Sequence, residues 1–244
     1  MNKLESTPIE KQSLNIKKFI VYTAITFTLM MLGNVLGLIM TNVLGAVIQN
    51  DVSNPIQNLI NSTDIWLNLI LISIIGPIFE EFLFRKILID RTIRYGAKVS
   101  ILLSAVLFAF FHGNLNQFFY AMFMGGFLAY VYIKTGKIIY TIILHMIINL
   151  MGSVVTMFVM QSANAITAGS QTPFDFAIVL LYFAAILMLI FMGIIGLTRF
   201  KKAKFNGSKT QIPLKQPLKT VFLNPGVLLF MGFFLFEIIY QLFL

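Results

Sequence analysis

The chain contains no cysteine, which excludes disulfide bonds, thiolate catalysis and cysteine-ligated metal sites. It also has little charge. Only 11% of its 244 residues are Asp, Glu, Lys or Arg, whereas soluble domains contain about 25%. Hydrophobic residues make up 58% of the chain. The composition therefore excludes an ordinary soluble domain and predicts a membrane protein.

Several apolar runs exceed the ~18 residues that mark a transmembrane helix. We predict an all-α, polytopic transmembrane helical bundle of about seven spans, occupying residues 17–244 after a short mobile polar tail at 1–16. Polar loops are expected at Gln49–Asp64 and Gln161–Pro173, and a turn at Gly113–Gln117. The predicted spans are Phe19–Ile48, Ile65–Arg94, Val99–Phe111, Phe118–Ile133, Ile138–Met160, Phe174–Leu197 and Val221–Phe243.

The basic residues predict the orientation. When the segments between spans are numbered alternately, all 18 Lys and Arg residues fall on the side of the N-terminus. Basic loops remain in the cytoplasm, so we expect a cytoplasmic tail, a basic cytoplasmic loop at 198–220 and a multi-pass protein of the cell membrane. Because the positive charge is spread along one membrane face, it does not indicate a nucleic-acid partner; the chain's expected partner is membrane lipid. Contact of the basic loop with anionic lipid is one interpretation, and the simpler one, which we favour, is that its charge only sets the orientation.

Two adjacent carboxylates and an arginine interrupt the second apolar run. Each charge in hydrocarbon costs about 2.5–3.5 kcal/mol, so such residues usually have a function. Glu81 and Arg85 are four residues apart and share one helix face, in the orientation that favours an ion pair. Glu80 points about 100° away from Glu81 around the helix, so its carboxylate remains available for a functional role. Gly76-Pro77 is expected to kink the helix just before the glutamates.

The two histidines lie in spans or at their edges, each with a partner four residues away: Phe108 with His112, and His145 with Asn149. Three helices can thus present polar side chains to one cavity, reached laterally or from the cytoplasmic side. A carboxylate and an imidazole can hold and deprotonate water, while a second imidazole and an amide can donate hydrogen bonds to an oxyanion. This set suits hydrolysis.

Some features of the sequence bear on functions other than this kind of hydrolysis. The chain has no His-Glu-x-x-His sequence, which excludes a zincin-type protease. Intramembrane acids and histidines also mark proton relays, so a small transporter is an alternative, although the chain shows no internal repeat. Glu237 is a further acid within a predicted span, and the sequence gives no account of it.

Three motifs carry a family likeness. Glu80-Glu81-x-x-x-Arg85, Phe108-x-x-x-His112 and His145-x-x-x-Asn149 resemble those of the CPBP (CAAX protease and bacteriocin-processing, or Abi) family, whose eukaryotic members are type II CAAX prenyl endopeptidases. The resemblance covers about residues 65–160. It implies an intramembrane endopeptidase that acts on a membrane-associated peptide or protein. The alternative within the same family is a non-proteolytic immunity or sensor-regulator protein.

The resemblance also implies roles for the site residues. Glu80 would be the general base and His112 would help to hold the water, while His145 and Asn149 would form the oxyanion site. The supporting residues would be Glu81, Arg85 and Phe108.

This glutamate-type mechanism requires no cofactor. A zinc-dependent metalloprotease is the alternative, with Glu80, His112 and His145 as ligands, because three N/O ligands plus water form a common catalytic zinc shell.

Overall fold

The computed structural model describes residues 6–7, 9–49, 58, 62–200 and 215–243. Within these ranges the regular structure is helical and no strand is formed, which confirms the predicted all-α fold. The helices are α1 (Ile16–Ile48), α2 (Ile65–Tyr95), α3 (Ala97–Phe111), α4 (Leu115–Thr135), α5 (Ile138–Thr167), α6 (Pro173–Phe200), α7 (Pro217–Phe222) and α8 (Pro225–Gln241).

Five of these helices, α1, α2, α4, α5 and α6, are long and apolar enough to cross a membrane. Two more, α3 and α8, are apolar but shorter. The molecule is therefore a helical membrane bundle, as predicted. The total of seven spans and the cytoplasmic N-terminus remain predictions.

Several predicted boundaries differ from the observed ones, and two of the differences change the division of the chain. The expected loop at Gln161–Pro173 is helical up to Thr167, because its polar residues are compatible with a helix and the chain turns only at Gly169, where φ is 71°. The expected seventh span is divided into α7 and α8, since Asn224 caps α8 by accepting a hydrogen bond from the Gly226 N–H at 2.9 Å. Most of the predicted loop at 49–64, and residues 201–214 of the basic loop, lie outside the described residues.

The central helix α4 packs against α1 and α3, and its close approach to α1 depends on two glycines. A Cβ atom at Gly33 would overlap the backbone of Tyr120, and one at Gly37 would lie 2.6 Å from the carbonyl oxygen of Asn116. Small residues in membrane helices permit such approach. This contact brings the first turns of α4 against the middle of α1.

The predicted kink at Gly76-Pro77 takes the form of a widened helix. Residues Asn68–Ile75 of α2 are π-helical, as are Phe82–Ile87 further along the same helix and Met151–Val155 in α5. In a π-helix each carbonyl accepts from the N–H five residues later. The widened turns of α2 therefore flank the segment that carries Glu80 and Glu81.

The described part of the N-terminal segment is bound to the bundle, where the sequence suggested a mobile tail. The Thr7 N–H donates to the carbonyl of Asp90 at 2.7 Å, and the Gln12 N–H donates to the carbonyl of Thr135 at 2.7 Å. Asp90 is itself buried and accepts from the Tyr132 hydroxyl at 2.7 Å. The segment thus crosses the end of the bundle formed by the last turns of α2 and α4.

Candidate active site

Glu81 and Arg85 form the ion pair that their spacing predicted. The Arg85 Nε lies 3.0 Å from Glu81 Oε2, and Nη2 donates to Glu81 Oε1 at 3.2 Å. Both side chains are fully buried, at 0% exposure. A guanidinium presents its donors in a planar fork that matches a carboxylate. This pair is therefore held inside the protein, away from lipid and water.

Helix α3 completes the surroundings of Arg85. The Arg85 Nη1 donates to the Ser104 hydroxyl at 2.8 Å, and that hydroxyl donates to the Phe84 carbonyl at 3.0 Å. The guanidinium also lies 4.9 Å from the centroid of the Phe108 ring. Sequence reasoning missed Ser104, although a signal existed: Ser104, Phe108 and His112 recur every four residues and share one face of α3.

His145 lies between the two glutamates. Its Nδ1 is 3.0 Å from Glu81 Oε1, and its Nε2 is 3.6 Å from Glu80 Oε2. An ionised carboxylate only accepts hydrogen bonds, so Nδ1 carries a proton and donates a hydrogen bond to Glu81. This bond fixes the orientation of the ring, which is almost completely buried. Nε2 is the nitrogen that faces Glu80.

His112 is oriented in the same way. Its Nδ1 lies 2.8 Å from the carbonyl oxygen of Phe108, and since a carbonyl only accepts, Nδ1 is the donor. The Phe108 ring packs edge-on against both imidazoles, with centroid separations of 4.8 Å to His112 and 5.8 Å to His145. Phe108 therefore contacts both histidines and Arg85, which gives a physical reason for an aromatic residue four positions before His112.

Asn149 satisfies a carbonyl group in α2. Its Nδ2 donates to the carbonyl oxygen of Ile72 at 2.9 Å. In the π-helical turn the donor for this carbonyl would be residue 77, but Pro77 has no N–H. Asn149 supplies the missing donor from the neighbouring helix. An amide nitrogen carries two protons, so a second N–H remains for a ligand.

These predicted residues meet at one cavity of about 370 Å³. Glu80, His112, His145 and Asn149 all line it, whereas Glu81, Arg85 and Phe108 lie behind this lining. The sequence did not predict the polar residues on the opposite wall: Asn34, Asn116, Gln117 and Tyr120.

The opposite wall is organised by the start of α4. The segment Gly113–Gln117 was predicted as a turn, but α4 already begins at Leu115, because the Asn114 side chain accepts from the Gln117 N–H at 2.9 Å. Gln117 then donates from Nε2 to the Tyr120 hydroxyl at 2.6 Å. This cap turns Gln117 and Tyr120 toward the cavity.

The residues of the zinc alternative do not form a ready metal site. In the described part of the chain, no group of three or more carboxylates and imidazoles is close enough to hold a metal ion. Glu237 lies outside the cavity, where it accepts from Gln241 Nε2 at 3.1 Å and packs beside Gly113. Its contacts are those of a residue that supports the turn between α3 and α4.

Comparison with known proteins gives one result. Residues 62–151 match the family model described as "Type II CAAX prenyl endopeptidase Rce1-like". Neither the curated proteins nor the solved structures provide a match. The matched segment contains all three motifs, most of α2–α5 and most of the residues that line the cavity; the other lining residues are Met30 and Asn34 on α1, and Gly152 and Ser153 on α5. The resemblance to the CPBP (CAAX protease) family, a family of membrane proteases, is thus confirmed over residues 62–151.

Proposed function

We propose that this protein is an intramembrane endopeptidase that hydrolyses a peptide bond in a membrane-associated peptide or protein. The observation that carries the proposal is the position of His145, which is held between Glu80 and Glu81 in a cavity shared with His112 and Asn149. A carboxylate and an oriented imidazole can act as base and water ligand, and a second imidazole and an amide can act as oxyanion donors, in water-mediated acyl transfer.

The first step is activation of water. Glu80 is the general base, because its carboxylate lines the cavity and is 23% exposed, whereas that of Glu81 is sealed. Glu80 removes a proton from a water molecule that the Nε2 of His112 also holds. The resulting hydroxide attacks the carbonyl carbon of the substrate and forms a tetrahedral intermediate with a negatively charged oxygen.

The second step is stabilisation of that oxygen. His145 faces one carboxylate with each ring nitrogen. In the proposed step both nitrogens carry a proton, and Nε2 is the donor on the cavity side. When Glu80 becomes protonated, the Nε2–H of His145 is released to donate to the oxyanion. The second N–H of Asn149 donates as well. Glu80 then transfers its proton to the departing amine as the C–N bond breaks.

The proposed setting is the cell membrane, which the chain crosses several times. The two shorter apolar helices α3 and α8 would join the five long ones to give seven spans. All 18 Lys and Arg residues then lie on one side, which would be the cytoplasm.

The test is cleavage of a quenched peptide library by the purified full-length chain. Glu80→Gln keeps the shape of the side chain but cannot accept the proton, so turnover should fall by about 10²–10⁴-fold, the usual contribution of general base catalysis. Glu237→Gln is the matched control, because it changes a glutamate outside the cavity and should leave turnover unaltered. Wild-type cleavage by Glu80→Gln would refute the mechanism. A folded wild-type protein that cleaves no peptide would favour the immunity or sensor-regulator alternative.

The mechanism needs no metal, and this can be measured separately. Treatment with a strong chelator should leave cleavage unchanged, and active protein should contain less than stoichiometric zinc. A stoichiometric zinc whose removal abolishes cleavage, and whose return restores it, would establish the metalloprotease alternative.

A further inference from the structure

The cavity extends from the glutamates in one direction along the bundle. Helices α2 and α5 run antiparallel, as two contacts show: Glu81 Oε1 lies 3.0 Å from His145 Nδ1, and the Ser73 and Ser153 hydroxyls lie 2.8 Å apart. The cavity lining on α5 runs from His145 to Gly152 and Ser153. The cavity therefore extends from Glu80 and His145 toward the start of α2 and the end of α5.

Helices α1 and α4 agree with this direction. The α4 residues that line the cavity, Asn116, Gln117 and Tyr120, belong to its first two turns, directly after the turn that connects α3 to α4. On α1 the wall includes Asn34, which directly follows Gly33, the residue that packs against the backbone of Tyr120. The cavity thus extends toward the side of the bundle on which α4 begins.

The opposite direction is sealed. Directly behind the glutamate layer, Arg85, Ser104 and Phe108 are all 0% exposed. One helical turn further, the buried carboxylate of Asp90 accepts from the Tyr132 hydroxyl at 2.7 Å. These residues fill the space between α2, α3 and α4.

The N-terminal segment covers the sealed end from outside the bundle. Its backbone is hydrogen-bonded to Asp90 and Thr135, and it passes so close to Gly136 that a Cβ there would lie 2.6 Å from the carbonyl oxygen of Glu10. Lys137 Nζ donates to the Ser13 hydroxyl at 2.7 Å. This end of the bundle is therefore closed by packed side chains inside it and by the N-terminal segment that lies across it.

The sealed end is also the basic end. Four basic residues lie at or near the junction of α2 and α3: Lys86, Arg91, Arg94 and Lys98. Lys134 lies in the last turn of α4, and Lys137 directly precedes α5. By the positive-inside rule this end faces the cytoplasm. The sequence led us to expect access from the cytoplasm or laterally. The cavity, however, lies on the side of Glu80 and His145 that is away from this basic end.

We propose that the cavity opens to the external face and the outer leaflet, and that its substrate is an exported polypeptide held in the membrane by an apolar segment. The peptide bond would be cleaved in the outer half of the bilayer. This inference rests on the proposed endopeptidase function and specifies which polypeptides that function acts on.

The chemistry of the cavity fits such a substrate. Apart from Glu80 and the two histidines, its polar groups are neutral amides and hydroxyls, including those of Asn34, Gln117 and Tyr120, which suit the backbone of an extended chain. Its volume of about 370 Å³ holds a few residues and not a folded domain. Leu71 lines the cavity and is 51% exposed, so the wall is continuous with the lipid-facing surface on which an apolar anchor would lie.

Cysteine accessibility in cells tests the direction of the cavity, and the cysteine-free chain gives no background. Gly152→Cys is the reporter, because a Cβ there meets no atom within 4 Å; Asn34→Cys is a second reporter on another helix. Exposed positions at both ends are the controls: Ala168→Cys for the expected external end and Lys98→Cys for the expected cytoplasmic end. The probe is a small, charged, membrane-impermeant methanethiosulfonate applied to intact cells that express the full chain.

We expect both reporters and Ala168→Cys to react in intact cells, and Lys98→Cys only after permeabilisation. Reaction of Gly152→Cys and Asn34→Cys only after permeabilisation, or no reaction in either state, would overturn the proposal. Reaction of Ala168→Cys only from inside would overturn the orientation on which it depends.

A second measurement connects access to the substrate. In purified protein, coupling a bulky maleimide to Gly152→Cys should cause loss of peptide cleavage, and full cleavage after coupling would contradict passage through this cavity. Labelling does not depend on catalysis. External labelling without any cleavage would therefore refute the endopeptidase function alone, whereas cleavage with internal labelling would refute external access alone.

Discussion

Glu80 and Glu81 are neighbours in α2, yet they lie in two differently built layers of the molecule. In the sealed layer, Glu81 contacts Arg85 and His145 and has no exposure to solvent. In the cavity layer, Glu80 is partly exposed, and its Oε2 has no hydrogen-bond partner among the described residues. The step of about 100° per helical residue is enough to separate them. Two identical side chains therefore have different surroundings, because only Glu81 is enclosed by charge partners.

Because Glu81 and Arg85 are fully buried and paired, we expect the stability of the folded protein to depend on this sealed layer. Breaking a buried ion pair from one side leaves an uncompensated charge, so Glu81→Ala and Arg85→Ala should each lower the free energy of unfolding by about 3–5 kcal/mol. The double variant should recover part of this loss. Thermal unfolding in detergent measures all three.

Two variants on the same helix provide the contrast. Lys86 pairs with Asp90 at 2.6 Å, also four residues apart, but its side chain is half exposed, so Lys86→Ala should cost at most about 1 kcal/mol. Glu80→Gln should unfold at or above the wild-type temperature. If Glu80→Gln were as destabilising as Glu81→Ala, the division between the layers would be wrong.

The cavity layer makes its own prediction at Asn149. Asn149→Ala should lower turnover by about 10²–10³-fold, the usual cost of one oxyanion donor. It should also lower stability, because the Ile72 carbonyl loses its partner. Pro77→Ala returns a backbone N–H at the position from which a π-helical turn would serve that carbonyl. The double variant should therefore regain stability while turnover stays low.

That pair of variants separates chemistry from support, with peptide cleavage and melting temperature as the two measurements. If adding Pro77→Ala to Asn149→Ala restores turnover as well as stability, Asn149 acts through the shape of α2 and is a positioning residue. Unchanged turnover in Asn149→Ala alone would remove it from the oxyanion site.

The sequence predicted those parts of the site that depend on one helix. Glu81 and Arg85 pair, and His145 and Asn149 share a face, because residues four apart are neighbours on any helix. It did not predict that His145 lies between both glutamates, since this requires the packing of α5 on α2. Nor did it predict the bond from Asn149 to Ile72, which depends on a π-helical turn that hydropathy does not encode.

The fold shows the same division. Most helix positions follow from apolar runs and their polar interruptions, whereas the attachment of the N-terminal segment rests on backbone hydrogen bonds such as Thr7 to Asp90. Backbone groups are the same in every residue, so a polar segment with few apolar side chains gives no signal of such docking. The start of α4 likewise depends on a single side-chain contact, the Asn114 cap, which a pattern of apolar runs does not indicate.

Ser104 gives the smallest and most local test of the sealed layer. It accepts a hydrogen bond from Arg85 and donates one to the Phe84 carbonyl, so Ser104→Ala leaves one N–H of a buried guanidinium unpaired. The expected cost is about 1–3 kcal/mol, less than breaking the ion pair, because both Glu81 contacts remain. Ser100→Ala is the matched control: Ser100 is equally buried on α3, but its hydroxyl donates to the carbonyl of Gly96, the residue directly before its own helix. Equal melting temperatures for the two variants would mean that Arg85 does not depend on α3, and the sealed layer would then reduce to the pair that the sequence already predicts.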